Sequence, residues 1–307
     1  MESPLQFFAG LEDPRVDRTK AHLLEDIVFI SIASVLCGAD TWNEMEYFGK
    51  CKFEWLKTFL KLPGGIPTHD TFNRFFSALD PEKFEHCFLQ WTQSVGQLTE
   101  GEVIGIDGKA IRGSKDGKKN MVHLVSAWAS ANNLVLGQHK VEGKSNEITA
   151  IPQLLEVLVL KGCIVTIDAM GCQKEIASAI ISKEADYILA LKGNQGTLLQ
   201  EVEESFRFIQ ATDVSVENDL GHGRIEKRTC SVIEDLSMID QKDQWDSLRC
   251  LIKIESESCN KSSQQMEKET RYYISSLSPN ASHLNSSIRA HWRIENSLHW
   301  VLDVAFK

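Results

Sequence analysis

The sequence predicts a mixed α/β fold, a sheet flanked by helices and preceded by an all-helical region. Three observations predict it. Residues 1–95 carry their apolar side chains at helical spacing. From about residue 101 the period shortens and three extended segments follow in succession. Beyond them helical and extended segments alternate, the order that builds a partly parallel sheet.

Taken in order, the first helix is expected over 22–37, where Leu23, Ile27 and Ile30 share a stripe with Ser31 and Ser34. A second pattern covers 42–60 through Met45, Phe48, Phe53, Trp55, Leu56 and Phe59. LPGGIPTHDTFNRFFSAL reads as a Pro/Gly loop and a helix start, with Thr68 or Asp70 as N-cap and Phe72, Phe75, Phe76 and Leu79 facing the core. Asp80-Pro81 opens a further helix toward Trp91, because a proline at the first helical position lacks only an N–H that would have no partner there. Strands are expected at 102–107, 121–130 and 134–141, the last two joined by a turn at Asn132-Asn133. A helix capped by Ser145 or Asn146, a strand at 163–168, a helix at 173–184, a strand at 187–191 and a helix at 195–208 follow. Residues 212–278 hold three more strand patterns, GRIEKRTCSVIED, LRCLIKIESES and ETRYYISSL, and SHLNSSIRAHWRIENSLHWVLDVAFK returns to helix.

The 307 residues are 42% hydrophobic and 25% charged, which is globular composition. The longest apolar stretch, around Ile27 to Leu36, is too short to span a bilayer, and MESPLQFFAGLEDPR lacks a basic leader region, so a cytoplasmic location is expected, with no membrane partner. The eight cysteines form no CxxC pair and no zinc spacing with histidine, and are read as reduced, half-buried apolar residues. A net charge of −10 argues against a simple nucleic-acid coat protein. It leaves room for a local basic groove beside an acidic centre. A dinucleotide-binding reading fails for want of a GxGxxG turn after a first strand.

Three carboxylates stand out. The apolar run Val103-Ile104-Gly105-Ile106 ends on Asp107, and Ile164-Val165-Thr166-Ile167 ends on Asp168. If those two strands are neighbours the acids stand side by side and repel unless a cation lies between them. In the last helix, Ile288, Trp292, Glu295, His299 and Leu302 form a stripe expected to face the core, with Arg289, Arg293 and Asn296 to one side. Singly, each aspartate is equally a cap or turn former, and Glu295 an ion pair with Arg289 or His299. Together, an all-oxygen set suits Mg²⁺ or Mn²⁺, and two such ions about 3.5–4 Å apart can activate a hydroxyl and stabilise a leaving oxygen of a phosphodiester.

The stretches DPRVDRTKAHLLEDIVFISIASVLCGAD, GIPTHDTFNRFFSALDP, IGIDGKAIRGS, KSNEITAIPQLL, TIDAMGCQ, LKGNQ, HGRIEKR and HWRIENSLHWVLDVAF occur in this order over essentially the whole chain. In that order the sequence resembles the DDE transposases of bacterial insertion sequences, specifically the ISAs1 family, also called H-repeat-associated proteins. The resemblance implies an RNase H-like mixed-sheet catalytic core over 96–307 with a β-strand insertion at about 212–278, behind a helical transposase-associated domain over 1–95. It implies that Asp107, Asp168 and Glu295 are catalytic and hold two divalent ions, Mg²⁺ or Mn²⁺. It also implies that double-stranded DNA, as element ends and target, is the partner and that the chain acts as a homo-oligomer on it. Water would be the nucleophile for nicking and a DNA 3′-hydroxyl for strand transfer. Related transposases carry Tyr-x2-Arg-x3-Glu-x6-Lys around the glutamate, where this chain has Ile288, His291 and Leu302, so only Glu295 is carried over. Family members continue past LDVAF, and the chain is expected to be truncated after Lys307.

Basic residues near these acids are read as contacts to DNA phosphates: Lys109 and Arg112, with Lys115, after Asp107; Lys192 in LKGNQG; Arg224 and Arg228 on one face of GHGRIEKR, which also offers His222 and Lys227; and Arg293 beside the glutamate. The plainer alternative for each is a solvated turn or strand. Trp292, Trp300 and the Phe72-Phe75-Phe76 cluster are expected in the core. Two competing functions remain, a nuclease of the same fold and a truncated relic that binds DNA without cutting it.

Overall fold

The computed structural model describes residues 4–16, 20–95, 99–111, 114, 121–141, 147–221, 224–260 and 266–305. The chain divides into two compact units, Met1–Gly96 and Gln97–Lys307.

The first unit is helical, with α1 (Leu24–Leu36), α2 (Trp42–Cys51), the single turn α3 (Phe53–Leu56), α4 (His69–Ala78) and α5 (Pro81–Val95). The pattern expected to run unbroken from 42 to 60 is interrupted at Lys52, which caps α2 and starts α3. Thr41 and Glu44 start α2 with a reciprocal capping box, each satisfying a backbone N–H at the helix end. Of the two N-caps proposed for α4, Thr68 is the one used, accepting from the Thr71 N–H at 3.4 Å. Phe8, Ile27, Ile30, Leu56, Phe72 and Phe75 are fully buried in this unit's core.

Among the described residues the second unit is built on one nine-stranded sheet. Its first half holds β1 (Val103–Ile111), β2 (Val122–Ala129), β3 (Leu134–Val141), α6 (Glu147–Val157), β4 (Ile164–Ile167), α7 (Lys174–Ser182), β5 (Asp186–Leu191) and α8 (Gly196–Phe208). The caps expected for α6, Ser145 and Asn146, lie outside the described residues. Four strands follow, β6 (Asp213–Gly221), β7 (Arg224–Ile233), β8 (Cys250–Asn260) and β9 (Met266–Ser275), and then α9 (Ala281–His291), a π-helical turn (Ile294–His299) and α10 (Trp300–Ala305). The strand order is β3-β2-β1-β4-β5-β9-β8-β7-β6. β1, β4 and β5 are parallel, and β2 and β3 antiparallel, as the RNase H-like expectation requires. Four strands, not three, make the second half, and β9 pairs antiparallel with β5, so these strands extend the core sheet. Among the described residues the missed strand, β6, pairs with β7 alone, and its Val214 and Val216 are exposed, so it lacks the buried face by which a strand is recognised.

Ile104, Ile106, Leu154, Val165, Tyr187 and Leu189 anchor the main core beneath α6 and α7. On the other face α9 lies over β1, β4 and β7. No helix among the described residues is long and apolar enough to cross a membrane. All eight cysteines are free thiols.

Candidate active site

β1 and β4 run parallel, with Ile104 opposite Val165, Gly105 opposite Thr166 and Ile106 opposite Ile167. The next residue on each strand is the aspartate, so register sets Asp107 and Asp168 at one level of the sheet. Asp107 does not end its strand, as the sequence had suggested. β1 continues to Ile111, paired with β2 alone, while β4 stops at Ile167. Beyond that point β1 has lost one neighbour, and a crevice opens at the carboxyl end of β4, where sites in open α/β sheets gather.

The two aspartates are held differently. Asp168 caps the single 3₁₀ turn Ala169–Gly171, its Oδ1 accepting from the N–H groups of Met170 at 3.0 Å and Gly171 at 3.4 Å. The cap role proposed for it alone is therefore real, and it engages one oxygen. Among the described residues Asp107 caps no helix, and its Oδ1 accepts from the N–H of the adjoining Gly108 at 2.8 Å. The acid that does fasten a turn here is Glu102, which binds the Ala131 and Asn132 N–H groups at the β2–β3 hairpin at 2.9 and 3.2 Å.

Burial pushes the Asp107 carboxyl up to about 7; the Gly108 N–H partly opposes the rise, and the charges of Asp168, Glu295 and Glu147 add to it. His299, 6% exposed, brings Nδ1 to 3.7 Å from Asp107 Oδ2. Burial and the charge of Lys109 hold this imidazole down near 4, so it is neutral at pH 7, and its buried Nε2 has no hydrogen-bond partner among the described residues.

Glu295 is placed differently from the expected stripe. The last helix is broken: α9 ends at His291 and a π turn follows, which inserts an extra residue per turn and rotates what comes after. The buried residues are Ile288, Ile294, Leu298 and His299, while Glu295 is exposed. It lines a cavity of about 400 Å³ with Lys109, Asn296, His299, Trp300 and Asp303. It stays within electrostatic reach of Asp107.

The basic residues divide. Lys109 is not free for phosphate, since its Nζ pairs with Asp303 Oδ2 of α10 at 2.6 Å. Lys192 is exposed at the rim of a second cavity of about 400 Å³ that also contains Asp168. Its loop is pinned there, with Asn194 Nδ2 donating to Ala169 O at 2.6 Å and Gln195 Nε2 to Cys172 O at 2.9 Å. Arg228 corrects the expectation of a DNA-facing ribbon: α9 covers β7, so Arg228 is 8% exposed and its Nε donates to Asn285 Oδ1 at 2.7 Å. It lines, with Glu226, Arg271, Arg289 and Trp292, a groove of about 700 Å³ between the added strands and α9. Arg293 is exposed on the same groove and donates to Ser130 O at 3.2 Å. Arg112, Lys115 and His222, and the side chain of Arg224, lie outside the described residues. Trp292 carries the Arg271 guanidinium over its ring at 4.6 Å. Trp300, expected in the core, is 63% exposed.

Sequence reasoning passed over Glu147 and Glu102. The signal for Glu147 was Gly108, a glycine inside a strand, which marks a close approach from another element. As placed, no three of the described Asp, Glu, His and Cys side chains converge tightly enough to hold an ion. The donor set nevertheless fits a hard divalent cation. It is all oxygen, the charges of Asp168, Glu295 and Glu147 add to the burial that raises Asp107, and among the described residues no lysine or arginine pairs with Asp107 or Asp168.

Residues 98–307 match the family model described as transposase DDE domain, and residues 5–92 match the one described as DDE_Tnp_1-associated. The chain is 44% identical to "Putative transposase YncI" of Escherichia coli O157:H7, over 99% of this chain and 80% of that protein. It is 40% identical to "H repeat-associated putative transposase YhhI" of Escherichia coli (strain K12), over 92% of this chain and 77% of that protein. A piggyBac transposase synaptic complex with hairpin DNA aligns at a TM-score of 0.44 and 9% identity, over 96% of this chain and 63% of that one, which is too loose a likeness to rest on. With a family model covering the whole described sheet and relatives matching along nearly the full chain, the protein belongs to the DDE transposases of insertion sequences.

Proposed function

We propose that this transposase cleaves DNA phosphodiester bonds and joins the freed 3′-hydroxyl to a target, with Asp107, Asp168 and Glu295 holding two Mg²⁺ or Mn²⁺ ions. The family as a whole depends on divalent metal. The observation that carries the reading is the β1–β4 register, which brings two aspartates to one crevice where Asp107 is already raised, chiefly by burial and further by its acidic neighbours. Bound divalent ions supply Lewis acidity, lowering the pKa of an attacking water or hydroxyl and drawing charge from phosphate oxygens.

The chain's own residues do the rest. Asp107 would release its carboxyl proton as the site fills, because an opposite charge offsets the burial and the acidic neighbours that raise its pKa. The Met170 and Gly171 N–H groups fix the Asp168 carboxylate through Oδ1, and the residue lines the cavity that Lys192 rims. Neutral His299 packs against Asp107 and limits how far that side chain can swing. Lys192 and Arg293 are the described cations best placed to bind DNA phosphates on either side of the acids. Residues 1–95 are assigned as the helical domain, 96–307 as the catalytic domain, and β6–β9 as its insertion. Double-stranded DNA is the partner, bound by a homo-oligomer in the cytoplasm.

Asp168→Asn and Glu295→Gln test the assignment. Asn keeps the oxygen that caps the 3₁₀ turn, and Glu295 is exposed, so both variants should fold. Mg²⁺-dependent cleavage of element ends should fall by several orders of magnitude in each, and retained cleavage in either refutes its role. Joined products on a target plasmid distinguish a transposase from a nuclease, which would give hydrolysis alone.

A further inference from the structure

Among the described residues Arg228 is the only lysine or arginine that is buried. Strand pairing puts it there. It stands mid-strand in β7, between Glu217 of β6 and Ser256 of β8, and α9 packs on both β6 and β7. Its Nε donates to Asn285 Oδ1 of α9 at 2.7 Å. A neutral amide satisfies one N–H and leaves the charge unneutralised, and a buried charge without an opposite partner is costly. The nearby acids do not supply that partner. Glu217 and Asp219 pair with Arg289, and Glu269 pairs with Arg271 at 2.7 Å. Glu226 lies two residues along the same strand face, yet no ion pair joins it to Arg228 among the described residues. Asn285 is fully buried and its Nδ2 has no partner among those residues either, so the contact is under-satisfied at both ends.

With Nε held by α9, the two Nη groups of Arg228 are left without a partner among the described residues, and the side chain lines the groove of about 700 Å³. The cations of that groove are Arg228, Arg271, Arg289 and Arg293, and among the described residues no lysine lines it. A guanidinium is a planar fork that meets two phosphate oxygens at once, and it stays charged when buried. Ser256 and Ser258 add hydroxyls to the same wall. Of the acids on that wall, Glu217 and Glu269 are already committed to Arg289 and Arg271. The groove also adjoins the candidate active site. Glu269, Arg271 and Trp292 line both the groove and the cavity that contains Asp168. A strand that leaves Asp168 past Trp292 enters this groove.

We infer that the groove between the added strands and α9 is a DNA-backbone site, in which the Nη groups of Arg228 take a phosphate of the strand that continues beyond Asp168. This rests on the reading of the protein as a DNA-cleaving enzyme with Asp168 at its centre. Recognition is by the floor of a groove, not by an open ribbon, and the phosphate supplies the opposite charge that the fold withholds from Arg228. Arg228 holds the strand and takes no part in breaking the bond.

The test uses the full chain and a fluorescein-labelled DNA duplex, with binding followed by anisotropy over a range of NaCl concentrations. Ser256→Asp places a carboxylate directly across the β7–β8 pair from Arg228. It supplies from within the partner that a phosphate supplies from outside. Tm should therefore rise by roughly 2–4 °C while DNA affinity falls by roughly 10–100-fold. The plot of log affinity against log salt should become shallower by about 1, the mark of one lost phosphate contact. Arg228→Gln should show the same loss of affinity and slope, and its Nε2 takes the place of the arginine Nε and still donates to Asn285. Val216→Asp adds the same charge to the opposite face of β6, at an exposed position, and should bind DNA as the parent does. If Ser256→Asp keeps the parent's affinity and slope, or Val216→Asp loses as much as Ser256→Asp, the inference is wrong and Arg228 serves only the packing of α9. If the parent itself binds no duplex, the reading of DNA as the partner and this inference fall together.

Discussion

Asp107→Asn should stabilise the metal-free protein at alkaline pH and leave it nearly unchanged in acid. The folded-state pKa of about 7 lies above the ordinary 3.8, so between those values the folded chain holds a proton that the unfolded chain has released. The favourable contribution of the neutral carboxyl is complete below about pH 4 and is lost as pH rises through about 7. The rise is worth at most ~4 kcal/mol at 1.36 kcal/mol per tenfold step. Asp107 is 18% exposed, and movement of the side chain toward water relieves part of the strain, so about 2 kcal/mol is expected at pH 8. For a folding unit the size of Gln97–Lys307 that corresponds to a Tm increase of roughly 4–8 °C. The assay is thermal unfolding in EDTA at about pH 4.5 and pH 8, for parent and variant. Saturating Mn²⁺ at pH 8 should reverse the ranking, since only the parent gains from binding. A variant no more stable than the parent at pH 8 in EDTA, or stabilised equally at both pH values, would refute the argument that burial beside other acids raises Asp107.

Two further outcomes follow from the partners found. Arg228→Met should cost about 2–3 kcal/mol in urea unfolding, because it leaves the fully buried Asn285 Oδ1 without its charged donor; a loss under about 0.5 kcal/mol would show that the contact is dispensable. Lys109→Ala should cost no more than about 1 kcal/mol globally, given partly exposed partners, but should raise amide exchange selectively in Trp300–Ala305, and unchanged exchange there would show that Asp303 does not tether α10.

Much of the fold was legible because its elements bury one side. The β3 limits, 134–141, and the α8 pattern over 195–208 carry a regular apolar period, and the structure places them at Leu134–Val141 and Gly196–Phe208. β6 was not legible, because an edge strand with exposed valines has no inward-facing set to betray it. The last helix misled for a different reason. A stripe drawn at 3.6 residues per turn assumes an unbroken helix, and the π turn at 294–299 shifts everything beyond it, burying Ile294 and Leu298 and exposing Glu295 and Trp300.

The sequence by itself determined which residues could make a site: two apolar runs each followed by an aspartate, a glutamate in a distant helix, and a glycine after the first acid. Those are local properties, set by the cost of ending a buried run on a charge. Only the tertiary structure decided how they combine. Strand pairing between β1 and β4, separated by two strands and a helix, set the aspartates side by side. The packing of α6 set the Glu147 carboxylate against Gly108, and the packing of α10 committed Lys109 to Asp303. Long-range register and helix placement depend on the whole core, so no single stretch of sequence encodes them.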